Sequence, residues 1–351
     1  MTGPRLGFFT RLLEDAPPAD RYRFALEQID QAERAGFASA WIAQHHFGAH
    51  EGGLPSPFVL LAAAAQRTSR IGLATGVVTL PIDDPLRAAE DASVVDALSG
   101  GRVQLGVAAG GTPSSFAAFG RDPGDRRELF AEHFAVFLDA LSGRGVRGTD
   151  SRIYPPADGL ADRVWQATFS VDGGRRAGES GDGLMLSRTQ PRPESAPDAR
   201  LEEIQLPIIE AYRAALPSGA PARVLASRTA LVVDEENRTR VLEIAEPGLR
   251  HAARSAAGVD PDGLGLDDLI RVTDTHVGTV DEVVDSLSRD AAIGASTDVS
   301  FQVHSIPASH EITLRSIELL GSAVAPRLGY ETGAAAADAL RTAHLTPQGV
   351  S

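Results

Sequence analysis

The chain has 351 residues, enough for one large α/β domain or two medium ones. Its net charge of −14, with no block of lysine or arginine, argues against nucleic acid or an anionic membrane surface as a partner. The lack of cysteine excludes disulfides, thiolate catalysis and cysteine-ligated metals. The segment MTGPRLGFF has no signal-peptide apolar core, and no apolar run approaches the roughly 18 residues of a membrane helix. A cytoplasmic protein is therefore expected.

Short apolar or β-branched runs alternate with longer helical patterns. RLGFF (5–9) reads as a strand. A helix follows from Asp20, taken as its N-cap, to a stop at Gly36, with Tyr22, Leu26, Ile29 and Ala32 on one face. SAWIA (39–43) is a second strand, with a helix near 57–68 after it, and RIGLATGVV (70–78) a third. In 83–101, Asp84 suits a cap, Pro85 the first helical position and Gly100 the stop. RVQLGVA (102–108) is the fourth strand, followed by a helix over 126–142. Further strands are predicted at 164–167, 183–187, 223–233 and 299–304, with helices near 172–180, 197–215, 235–256, 279–293 and 309–325.

Eight strand–helix pairs in strict alternation predict parallel strands closed as a (β/α)8 TIM barrel. The rival, a doubly wound open sheet, usually carries G-x-G-x-x-G after its first strand. GFFTRLLED stands there instead. Two long Gly/Pro-rich connections, 143–163 and 188–200, read as insertion loops. The expected organisation is one barrel domain over 1–330 and an alanine-rich tail over 331–351, prone to fray.

Barrel enzymes place their chemistry at the C-terminal strand ends. That rim is rich in glycine, histidine and small polar residues and poor in carboxylates, unlike a glycosidase with its two facing acids. The pair His45 and His46 has three readings. A metal site with His50 and Glu51 is disfavoured because adjacent side chains on an extended segment diverge. Ordinary loop hydrogen bonding is the second, and a catalytic or ligand-binding histidine the third. The glycine turns at 108–115, including Gly110, and at 170–176 are either tight turns or phosphate cradles at helix starts. Arg188, after the next strand, favours a phosphorylated ligand.

Four stretches carry a family likeness. WIAQHHF (41–47) resembles the W-x-x-E-H-H-F motif of the bacterial luciferase-like flavin monooxygenases. TGVVTLPIDDPLRAAEDASVVDALSGGRVQLGVAAGG (75–111) is similar to their central signature. GRRAGESGDGLMLS (174–187) and GTVDEVVDSLSRDAAIGA (278–295) are similar to a later helix–strand unit and a late helix. The likeness covers about 5–325. It implies a (β/α)8 barrel, usually a homodimer, that takes reduced FMN from a separate flavin reductase and uses dioxygen to oxygenate a small organic molecule. Residue by residue it implies a catalytic role for His45 and a non-prolyl cis peptide at Gly76 and Val77 behind the flavin ring. It implies an apolar ring contact for Phe8 and a phosphate turn at Ser170, Gly173 and Gly174. Phe8, Trp41, Phe47, Val78 and Leu80 are candidates for a dry pocket wall.

Three positions depart from the family pattern. Gln44 replaces a glutamate, which should leave the His45 pKa lower. Ala109 stands where relatives carry a phosphate-binding arginine, a charge that Arg188 could supply. Phe169 replaces a common glutamate. Two alternatives remain: a deazaflavin-dependent hydride-transfer enzyme of the same fold, and a flavin-binding barrel without catalysis.

Overall fold

The computed structural model describes residues 3–48, 52–110, 112–303 and 308–344. His50 and Glu51, named above in the metal reading, lie outside these. Within the described residues the strands are β1 (Arg5–Thr10), β2 (Ser39–Ile42), β3 (Gly72–Thr79), β4 (Val103–Ala108), β5 (Val164–Ala167), β6 (Gly183–Leu186), β7 (Val224–Val232), β8 (Thr275–Gly278) and β9 (Asp298–Gln302). All pairings are parallel. The ring runs β1-β2-β3-β4-β5-β6-β7-β9 and closes through β9–β1, an eight-stranded (β/α)8 barrel. The ninth strand, β8, was not anticipated. It pairs only with the far end of β7, at Thr229–Val232.

The helices are α1 (Pro18–Arg34), α2 (Pro57–Ala65), α3 (Pro85–Ser99), α4 (Pro113–Ala118), α5 (Arg126–Leu141), α6 (Val171–Ser180) and α7 (Leu201–Ala215). After them come α8 (Arg238–Ala252), α9 (Leu266–Val272), α10 (Val280–Ser288), α11 (Ala291–Gly294), α12 (His310–Leu319), α13 (Ala325–Leu328) and α14 (Gly333–Thr342). Local chemistry sets their ends. The Asp84 carboxylate accepts from the Leu86 and Arg87 amides, Pro85 takes the first position of α3, and Gly100 closes it at φ 68°. Helix α1 begins earlier than expected. Pro17 precedes it and Pro18 opens it, so Asp20 sits inside the first turn and is not the cap.

Two apolar layers hold the barrel. Outside, between strands and helices, pack Leu6, Phe8, Ala40, Leu73, Leu105, Val107, Val299 and Phe301. Inside, Trp41, Ala74, Trp165, Met185, Leu225 and Leu340 fill the lumen, with Phe9, Val77 and Ala167 against them. Trp41 and Trp165 meet edge to face at 5.4 Å. Leu340 comes from α14. The alanine-rich segment therefore does not fray over 333–342: Ala336, Ala337 and Leu340 are buried, and a Cβ on Gly72 would lie 2.8 Å from Leu340 Cδ2. Helix α14 thus plugs the N-terminal end of the barrel. Among the described residues no helix is long and apolar enough to cross a membrane.

Candidate active site

The mouth is built in register. Phe9 of β1 pairs with Trp41 of β2 and Gln302 of β9, and Gln302 with Thr229 of β7, so one layer carries all four residues. On the β3 side, the Gly76–Val77 peptide is cis and the β3–β4 register slips between Thr75 and Val78. Gly76 leaves room for an aromatic neighbour: a Cβ there would sit 3.0 Å from Phe9 Cε2.

This fixes the phase of β1. Phe9 faces the lumen, and Phe8, fully buried in the helix-facing layer, does not. Phe8, expected at the ring, thus points away from the lumen, because neighbouring residues of a strand face opposite sides. The dry-wall candidates are corrected likewise. Val78 and Leu80 belong to the outer layer, Phe47 is 73% exposed, and Trp41 forms part of the lumen filling.

The two histidines diverge. His45 is half-buried behind Gly52, and its amide donates to the Leu54 carbonyl at 2.9 Å. No hydrogen bond reaches its ring nitrogens from the described residues. Burial pushes its pKa down to about 3, helped by the nearby positive charges of Arg11 and Arg188, so the imidazole is neutral at neutral pH. His46 instead meets Phe119 edge-on at 4.9 Å and lies near Phe47. Its pKa is also lowered by burial, with Asp83 opposing, and its buried Nε2 has no partner among the described residues. Among those residues no group of three or more His, Asp or Glu could hold a metal ion.

Gln44 joins the end of β2 to the end of β3. Its Oε1 accepts from the Thr79 amide at 2.7 Å, and its Nε2 donates to Asp83 Oδ2 at 3.3 Å and the Pro55 carbonyl at 3.4 Å. A glutamate here would set a second carboxylate against Asp83. The amide is the residue that fits this neighbour.

The glycine turns separate by role. Ser170 caps α6, its hydroxyl accepting from the Gly173 amide at 3.1 Å. A Cβ on Gly173 would fall 1.9 Å from Thr168 Oγ1, so that turn admits no side chain. The Gly174 amide in turn donates to the Ser170 carbonyl at 3.0 Å. Gly174 faces the other way: a Cβ there would meet the Ile208 carbonyl of α7 at 2.7 Å. Close helix packing accounts for a glycine at 174. Gly110, at φ 77°, packs on Thr79 and Phe116.

Arg188 is turned from the position expected of it. Its Nε donates to Gln302 Oε1 at 2.6 Å and its Nη1 to Thr229 Oγ1 at 3.3 Å, on β9 and β7, not on the turn after β5. Thr229 and Arg11 were missed in the sequence. Thr229 lies inside a fully buried strand and Arg11 follows β1 with no motif around it, so only their place at strand ends could have flagged them.

The sequence profile of the luciferase-like monooxygenase family matches residues 6–297. The 4-hydroxyprotoasukamycin monooxygenase of Streptomyces nodosus subsp. asukaensis is 33% identical over 324 residues, covering 86% of this chain and 85% of that one. Limonene 1,2-monooxygenase of Rhodococcus erythropolis is 34% identical over 174 residues, 47% and 45% of the two chains. Among solved structures, the monooxygenase RslO1 of Streptomyces bottropensis superposes with a TM-score of 0.72 at 22% identity, covering 92% of this chain and 99% of that one. The oxygenating constituent of 3,6-diketocamphane monooxygenase from Pseudomonas putida, in complex with FMN, gives 0.71 at 19% identity over 93% and 98%. An F420-dependent secondary alcohol dehydrogenase gives 0.67 at 18% identity over 93% and 99%.

Proposed function

The chain belongs to the luciferase-like monooxygenase family, and on that premise we propose that it oxygenates a small organic substrate with dioxygen, using reduced FMN from a separate flavin reductase. One observation carries the reading: a neutral, half-buried imidazole at the barrel mouth whose ring nitrogens hold no partner among the described residues. Phe9 and Val77 supply apolar surface beside the lumen filling, next to the cis Gly76–Val77 peptide. When bound, the reduced flavin supplies two electrons to dioxygen, so that one oxygen atom enters the substrate and the other leaves as water.

The protein's part is shelter and proton control. Phe9 and Val77 exclude water from the ring's surroundings. His45, neutral near pH 7, can accept a proton at a ring nitrogen or hydrogen-bond a polar atom of the reacting group without adding charge. Ser170, at the N-terminus of α6, receives the phosphate, helped by the helix dipole. His46, Phe47 and Phe119 form a wall of the entrance. Exposed Val59, Val94 and Leu98 on the adjoining helices α2 and α3 support a homodimer through that face.

A binding titration tests the cofactor. Oxidised FMN, reduced FMN and a deazaflavin are each added to the protein and bound flavin is followed by fluorescence. Reduced FMN is expected to bind, and Ser170→Ala to weaken it by about tenfold, the worth of a charge-assisted hydrogen bond. Binding of the deazaflavin with none of FMN would overturn the reading in favour of hydride transfer.

A further inference from the structure

The hydrogen bonds of Arg188 at the mouth all go to neutral side chains, Gln302 and Thr229; among the described residues no carboxylate pairs with it. Its pKa falls to about 9 through burial and the neighbouring charge of Arg11. A half-buried cation held only by neutral partners is costly unless a counter-charge arrives. Beside it, Gln302 is fully buried. Its Oε1 is taken by Arg188, and its Nε2, also buried, has no partner among the described residues. A guanidinium and a free amide N–H thus sit together, both donors and neither satisfied by an acid.

Position decides what they serve. In the ring order, β7 stands opposite β3, so the Arg188–Thr229 contact lies across the mouth from Gly76–Val77. A shallow, open cleft lies beside it, lined by Arg188, Arg192, Thr229, Leu249, Ala252 and Val272 among others. Its wall of α8 and the end of α9 is largely apolar, and threonine hydroxyls and the guanidinium lie on the strand side. A space with one charged end and one apolar wall suits an organic anion.

We propose that Arg188 and Gln302 recognise an oxyanion, a carboxylate in the first instance, on the substrate, whose apolar body occupies the cleft under α8. This rests on the oxygenase reading above and names its substrate class. The planar fork of Arg188 suits a carboxylate, with the Gln302 amide as a further donor.

Two probes of equal shape and different charge test it: cyclohexanecarboxylate and cyclohexanecarboxamide, titrated calorimetrically into the full chain with and without FMN. The carboxylate is expected to bind at least about tenfold more tightly than the amide. Arg188→Gln should erase that preference, Arg188→Lys should keep part of it, and FMN affinity should stay within about twofold in both variants. Leu249→Trp, which fills the cleft and leaves the guanidinium in place, should weaken both probes. Equal binding of the two probes to the unaltered protein would overturn the proposal. So would a loss of FMN affinity in Arg188→Gln, because the guanidinium would then belong to the flavin. If the protein fails to bind FMN yet prefers the carboxylate, the cofactor reading fails and the oxyanion site stands.

Discussion

The buried arginines at the lower end of the barrel and Arg188 at its mouth are partnered in opposite ways. At the lower end, Arg102, Arg163 and Arg223 each precede a strand. Arg102 donates to Thr68 Oγ1 and to four backbone carbonyls, on Ser99, Ile71, Ala65 and Thr68. Arg163 grips Asp96 with two bonds, at 2.8 and 2.7 Å, and adds the carbonyls of Gly159, Gly101 and Val103. Arg223 donates to the Val164 and Gly181 carbonyls and lies over the Trp165 ring. At the upper end Arg188 has two neutral partners, and near it stands Gln302 Nε2, which has no partner among the described residues. Satisfied donors stitch strand starts together. Unsatisfied donors at the mouth are what a ligand can complete.

Breaking the lower end should give the largest loss of stability. Asp96→Ala strands the Arg163 guanidinium in the interior and should cost about 3–5 kcal/mol in denaturant unfolding. A change near zero would show that the carbonyl contacts of Arg163 suffice alone. Leu340→Ala removes a buried side chain from the barrel plug and should cost about 2–4 kcal/mol, which a urea midpoint would report. At the upper end, His45→Ala should lower turnover by roughly 10²-fold or more while shifting the urea midpoint little, because its ring makes no hydrogen bond among the described residues. A mutant that unfolds easily but turns over normally when folded would reverse that assignment.

The pH dependence separates the ends more finely. His45, near 3, and His276, near 4, are held neutral in the fold by burial. Unfolding frees both to bind protons below about 6.5, so stability should be full above that pH and fall progressively toward pH 3 to 4. Asp182 at the lower end works the other way. Burial raises its pKa to about 6 despite a bond from Gln166, so its ionisation costs stability as pH rises from about 4 to 6. Asp182→Asn should therefore gain about 1–2 kcal/mol above pH 6 and nothing below pH 4, read from urea midpoints across that range. A gain that does not vary with pH would remove ionisation as its cause.

Much of the fold was legible because apolar runs and helix stop signals agree with one another. Asp84, Pro85 and Gly100 marked the bounds of α3. Other features were not legible for identifiable reasons. In a parallel barrel both faces of a strand are buried, so RLGFF showed a strand but not whether Phe8 or Phe9 looked inward. The strand β8 is four residues long and lies between helical patterns, too short for a period to register. Helix α14 reads as low-complexity alanine until its burial against Gly72 is seen. At the site, His45 and the cis Gly76–Val77 peptide were indicated by family likeness. The orientation of Arg188 was not, because a loop residue's partners on strands 41 and 114 positions away leave no local mark.

The central claim is that the mouth shelters reduced flavin during its reaction with dioxygen. Stopped-flow mixing of the protein and reduced FMN with aerated buffer tests it directly, following the return of oxidised-flavin absorbance. Return is expected to be slower than for FMN alone, and faster again in His45→Ala. A return rate equal to that of flavin in buffer, at protein concentrations that bind it, would contradict the claim.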